Sequence, residues 1–196
     1  MDDIFNLIDE QPIPINGSLL VAKPSVDDEM FGRSVIMLIN HDDNGAMGLI
    51  LNYKSPLIMS IMLPDVAIVN DAPLYIGGPV QPEVMFYLHT LGPEVIPDSV
   101  PIIDGLYFAG DFEAMKRYLE AGGETEGKVK FISAYSGWSA GQLMDEIKRN
   151  DWAVLETYDI PTLMTADRHE MWNWAVSQFG DRYRMWKNIP IAPEDN

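Results

Sequence analysis

At 196 residues, 47% apolar and 22% charged, the chain has the size and composition of one globular domain with a sizeable core. It has no cysteine, which excludes disulfides, thiolate catalysis and cysteine-ligated metal together. Thirty acidic against thirteen basic residues give a net charge of −17. Such a surface repels nucleic acid and anionic lipid, which draw much of their protein affinity from basic groups.

Residues 1–16 are polar, acidic and proline-containing, with Ile4, Phe5, Leu7 and Ile8 interspersed, and are expected to form an N-terminal arm. Met1-Asp2-Asp3 is acidic where a secretory signal is basic, and no apolar run reaches the roughly 20 residues that span a bilayer. A cytoplasmic protein without a membrane contact is the expectation. Residues 17–186 form the expected domain, and 187–196 a C-terminal tail.

A short strand is predicted over 19–22. The apolar runs 34–40 and 47–52 flank His41-Asp42-Asp43-Asn44-Gly45, a hairpin signal in which Asn-Gly would supply positive φ. Between Lys54 and Lys116 there is no lysine or arginine and there are eight acids. Within that stretch 74–76, 85–89 and 106–108 read as strands. A helix follows over 112–121, with Asp111 as N-cap, Phe112, Met115 and Leu119 on one face, and Gly122-Gly123 beyond its end. Residues 129–134 form an apolar strand, a Gly/Ser-rich turn carries Trp138, and a helix is predicted over 140–150. A strand over 152–156 and a helix over 168–179 complete the pattern. Early hairpin strands without crossover helices indicate α+β rather than a doubly wound sheet.

The turn before the third-last element carries the sharpest chemical question. Gly137-Trp138-Ser139-Ala140-Gly141 fits the G-x-S-x-G pattern of serine hydrolases. Asp159 or Asp167, then His169, follow in an order that suits a Ser-Asp-His triad. The same residues are also a capping box, Ser139-Ala140-Gly141-Gln142, with the hydroxyl accepting from the Gln142 amide and the Gln142 side chain reaching back. Gly77-Gly78-Pro79 after a strand is either a tight turn or an anion-binding backbone, but it lacks the lysine of a P-loop. His41, His89 and His169 share no metal-ligand spacing, so neither a metal nor a cofactor is expected. Arg182-Tyr183-Arg184-Met185-Trp186-Lys187 interleaves cations with aromatics, a stacking pattern for single strands. Against the overall charge it is expected to pack on the acidic body instead.

Four stretches resemble the AlgH/YqgE family of bacterial proteins. They are Phe31-Gly32-Arg33-Ser34-Val35 running to His41, Gly45-Ala46-Met47-Gly48-Leu49 running to Asn52, Tyr75-Ile76-Gly77-Gly78-Pro79-Val80, and Gly137-Trp138-Ser139-Ala140-Gly141-Gln142-Leu143 with Glu146 and Trp152. The chain departs from the usual family pattern at Ser139 and Met144, and at Tyr53-Lys54-Ser55 after Asn52. The resemblance implies a single α+β domain with a branched, largely antiparallel sheet, partly closed into a small barrel and flanked by helices. It implies a cytoplasmic protein with no established biochemical activity, some members being labelled regulators.

The resulting expectation is a non-enzymatic binding or regulatory protein that takes a protein or small ligand, with a serine hydrolase built on Ser139 as the alternative. The expected cleft gathers Arg33, His41, Asn52, Gly77, Gly78, Trp138 and Gln142 on one concave surface. In that picture Trp138 is a wall, and the Gln142 amide and the Arg33 guanidinium are polar contacts facing a carboxylate or carbonyl.

Overall fold

The computed structural model describes residues 11–26, 28–180 and 183–189. Among them ten strands and six helices form an α+β fold around one branched sheet.

The first strand, β1 (Leu19–Ala22), is buried at every residue because it lies between two others and is covered on both faces. Leu19 and Val21 face one core, Leu20 and Ala22 the other, as the two-residue period of a strand requires. Strands β2 (Val35–Asp42) and β3 (Gly45–Ile50) form the predicted hairpin, pairing from Ile36 opposite Ile50 to Asp42 opposite Gly45, with the register shifted by one residue at a bulge between Leu38 and Asn40. The turn differs from the Asn-Gly expectation. Positive φ falls on Gly45 alone (144°), and the Asp42 carboxylate accepts the Asn44 amide at 2.7 Å. That bond chiefly holds the Asp42 carboxyl below its ordinary range.

The edge strand β4 (Lys54–Ile58) and the short helix α1 (Met59–Met62) were not legible in the sequence. Pro56 removes a backbone donor, so β4 survives only at an edge, paired with β5 (Pro73–Ile76) in an interrupted register. Strand β6 (Val80–His89) runs five residues further back than predicted. Strands β7 (Val100–Ile103) and β8 (Leu106–Phe108) extend the far edge. Helix α2 (Phe112–Glu120) starts as predicted, Asp111 accepting the Glu113 and Ala114 amides. It packs Met115 and Leu119 over Leu74, Tyr87 and Phe131.

The branch is made by β9 (Val129–Ser139), eleven residues long where the sequence indicates six. Its first half pairs with β6 on one side and, in parallel, with β5 on the other. Its second half, Ser136 to Ser139, pairs with β3. The supposed Gly/Ser turn is therefore strand. Glycines face β9 where β3 and the segment after β5 approach it: a Cβ on Gly45 would lie 2.3 Å from the Trp138 carbonyl oxygen, and one on Gly78 2.3 Å from the Tyr135 carbonyl oxygen. The sheet path runs β10-β1-β2-β3-β9-β6-β8-β7, and its two end strands do not pair. The small barrel implied by the family resemblance is accordingly not closed.

Helix α3 (Gln142–Lys148) leads to β10 (Trp152–Leu155), and helices α4 (Ile160–Thr165), α5 (Arg168–Gln178) and α6 (Arg184–Lys187) cover the opposite face of the β1–β2–β3 layer. Tyr183 and Trp186 are buried in that core, so these aromatics of the C-terminal basic cluster pack inside rather than stand ready for stacking. The predicted arm divides at residue 11: residues 1–10 lie outside the described part, whereas the Gln11 side chain docks on β10. Its amide donates to the Trp152 carbonyl at 2.8 Å and accepts from the Val154 amide at 2.7 Å, acting as a one-residue substitute for a neighbouring strand. Of the predicted tail, residues 190–196 lie outside the described part.

Candidate functional site

The unit β9–α3–β10 brings two tryptophans together that are fourteen positions apart in the chain. Trp138, near the end of β9, and Trp152, opening β10, meet edge to face with ring centres 6.2 Å apart. Phe31 meets Trp152 at 5.9 Å, again nearly perpendicular. Between the indoles stands Glu146 on α3. Its Oε2 accepts both indole N–H groups at 2.8 Å. Its Oε1 accepts the Gln142 amide at 2.9 Å, one helical turn back. Gln142 Oε1 in turn accepts the Ser139 amide at 3.0 Å. Two strands and a helix are thus tied through one carboxylate. A cavity of about 480 Å³ opens over this network, walled by Phe31, Trp138 and Trp152 and edged by Asp28, Gln142, Glu146 and Asp151.

Of the seven residues expected to line a cleft, Trp138 and Gln142 do so here. Gly77 and Gly78 do not line it and are pressed against β9. The Gly77 amide donates to the Ser133 carbonyl at 2.8 Å, and its own carbonyl accepts the Ser136 hydroxyl at 3.0 Å. They serve close packing, not an anion. Asn52 is buried and fully used: Oδ1 accepts the Val35 amide, and Nδ2 donates to the Arg33 and Arg168 carbonyls. Arg33 turns away from the cavity. Its guanidinium lies 4.7 Å above the Trp172 ring and donates to the Ile189 carbonyl. His41 ties down the N-terminal segment through the Pro14 carbonyl and Asn16. The concave surface with Arg33 as its cation is therefore replaced by one edged with carboxylates.

The triad geometry is not formed. Ser139 is the last residue of β9, paired opposite Gly45, not the apex of a strand-to-helix elbow. Asp159 caps α4 through the Thr162 amide, and Asp167 caps α5 through the His169 and Glu170 amides. Both carboxylates are thus spent on helix N-termini. The capping box also needs correction. Its Gln142-to-Ser139 half is present, but α3 begins at Gln142 behind Gly141 (φ 77°), with no side-chain cap. Helix start and hydroxyl are out of register because β9 continues to Ser139. Accordingly, Ser139→Ala should change stability by less than about 0.5 kcal/mol. Gln142→Ala, which removes two hydrogen bonds, should cost about 1 kcal/mol or more in urea unfolding. Equal losses would contradict this assignment.

Glu146 was legible as the i+4 neighbour of Gln142, though its bonds to two indoles were not. Two further features have no signal in the sequence. Arg168 clamps the 29–32 loop through the Glu29, Met30 and Gly32 carbonyls and stacks on Tyr53. Lys130, inside the apolar start of β9, is fully buried. Its Nζ donates to the Leu51 carbonyl at 2.8 Å and lies 4.1 Å from the Tyr75 ring centre. Burial, and secondarily the charge of Lys54, pushes its pKa down to about 7. Among the described residues, no three His, Asp or Glu side chains cluster closely enough to hold a metal ion, and no helix is long and apolar enough to cross a membrane.

A branched, largely antiparallel sheet with helices packed on its faces defines an α+β class of protein. Residues 19–184 match the AlgH-like family model, and the chain belongs to that family. A UPF0301 protein of Parabacteroides distasonis is 44% identical, covering 97% of this chain and 96% of the relative. A UPF0301 protein of Bacteroides fragilis is 39% identical over 99% of this chain and 97% of its own length. Among solved structures, the AlgH protein of Pseudomonas aeruginosa superposes with a TM-score of 0.68 at 26% identity, covering 88% of this chain and 93% of that one. A Corynebacterium diphtheriae protein reaches a TM-score of 0.78 at 23% identity over 95% and 97% of the two chains, a likeness of fold.

Proposed function

We propose that the chain is a non-enzymatic binding protein, regulatory in role and cytoplasmic, that holds a protein or small ligand in the cleft walled by Phe31, Trp138 and Trp152. The observation that carries this reading is the preorganised network around Glu146. A cavity with aromatic walls and a few fixed polar groups is the usual form of a ligand site. The side chains that line it are held by packing and by hydrogen bonds, so little ordering is left to be done on binding. Catalysis has no comparable support, because both candidate aspartates cap helices. Direct binding of nucleic acid is not part of this reading, and regulation would act through the bound partner.

The test is an amide- and indole-resolved NMR screen of the full chain against small fragments. Ligands should move the Trp138 and Trp152 indole N–H signals first. Binders that leave both signals unchanged would overturn the cleft. A fluorophosphonate probe should leave Ser139 unlabelled, and stoichiometric labelling there would restore the hydrolase.

A further inference from the structure

Resting on that cleft, we infer that its ligand presents an organic ammonium group, seated against Phe31, Trp138 and Trp152 and facing Glu146. The walls come first. Trp152 stands nearly perpendicular to both Phe31 (83°) and Trp138 (82°), so it meets each of them at a corner rather than in a stack, and all three line the cavity. A box of aromatic rings attracts a cation through their quadrupoles, and does so best where water is partly excluded. The orientation of the indoles adds to this. Both N–H groups point at Glu146 and are satisfied there, so neither is left to donate to an anionic or carbonyl ligand.

Charge selects in the same direction. The residues lining the cavity include three carboxylates, Asp28, Glu146 and Asp151, and no lysine or arginine. Asp151 is paired with Arg149 at 3.2 Å. Glu146 has only neutral donors around it, and among the described residues no cation pairs with it. Its position is fixed by three hydrogen bonds, so it cannot swing away to solvent when the site is empty. Asp28 is held at the rim by the Met30 and Phe31 amides. A carboxylate ligand would meet the like charges of Glu146 and Asp28, whereas an ammonium ion would neutralise one. The net charge of −17 draws cations to this surface over longer range.

A matched pair of probes isolates the charge. Choline and its neutral carbon isostere 3,3-dimethylbutan-1-ol have nearly the same shape, and acetate supplies the opposite charge. Titrated into the full chain and followed at the two indole N–H signals, choline should saturate. The isostere should bind about tenfold more weakly or worse, and acetate not at all. Raising the salt should weaken choline binding. Putrescine and a lysine-bearing tetrapeptide then distinguish a free amine from a protein side chain as the source. Glu146→Gln should lower choline affinity about tenfold. Asp28→Asn, which keeps the oxygen that accepts the loop amides, should lower it in the same direction and protects the test should the first variant misfold. Equal binding of choline and the isostere would overturn the ammonium assignment while leaving the cleft intact. Failure of choline, putrescine and the peptide alike would also overturn it, with the cleft then judged by the fragment screen. Choline binding that moves neither indole signal would overturn both.

Discussion

Between pH 7 and pH 9.5 the parent chain should gain stability relative to Lys130→Met, by close to 1.4 kcal/mol for each pH unit, roughly the linkage slope of one proton. The cause is the buried ammonium on β9. Its folded pKa is pushed down to about 7 from an ordinary 10.5, chiefly by loss of water and then by Lys54. Within this window the unfolded chain keeps the proton and the folded chain releases it, so the unfolded state binds more protons and stability rises with pH. The penalty is fully present below the folded value and is gone above the unfolded one. Methionine fills similar volume without a charge, so the variant lacks this slope. It leaves the Leu51 carbonyl without its donor, a constant cost of about 1–3 kcal/mol at every pH. The comparison between the two proteins cancels titrations elsewhere. Urea unfolding at half-unit intervals would measure it, and parallel profiles would show that Lys130 does not titrate in this range.

Gly78→Ala should be the most damaging single-methyl addition in this part of the chain, costing about 4 kcal/mol or more, or abolishing folding. Two conditions coincide at this position. Its φ of 154° is one that side-chain-bearing residues rarely adopt, and a Cβ would lie 2.3 Å from the Tyr135 carbonyl group and 2.4 Å from the Ser136 nitrogen. Those atoms are backbone of β9, which is held by β3, β5 and β6 and has nowhere to shift. Gly141 separates strain from crowding. It has a φ of 77° but no atom within 4 Å of an added Cβ, so Gly141→Ala should cost only about 1–2 kcal/mol. Thermal or urea unfolding of the two variants gives the contrast. Similar losses would mean that β9 yields to the methyl group and that its crossings are softer than the geometry indicates.

How far the site could be read from the residues follows from the range of each interaction. Trp138 and Gln142 were legible because they lie close together in one local motif, Trp138 near the end of β9 and Gln142 opening α3. Glu146 lies one further turn along the same face. Phe31 and Asp28 reach the cavity from a loop more than a hundred positions away in sequence, and no local pattern announces that. Arg33 was assigned to the wrong side because its direction is decided by α5. Trp172 offers its ring, and the Ile189 carbonyl needs a donor. Ser139 misled through a motif that two different structures satisfy. Which one forms depends on where β9 stops, and that is set by its pairing with β3.

By itself the sequence determined the features that near neighbours enforce. The β2–β3 hairpin follows from two apolar runs around a polar turn. The start of α2 follows from the Asp111 side chain within reach of two free amides, and the α+β class from strands that arrive without crossover helices. Tertiary structure alone decided the branch at β9, because β9 changes partners along its length and glycines let β3 and the segment after β5 approach it closely. It alone decided the unclosed sheet, the burial of Lys130 and the joining of Trp138 to Trp152 through Glu146. Each of these depends on which distant backbone comes to lie alongside, and chain-local periodicity carries no record of that.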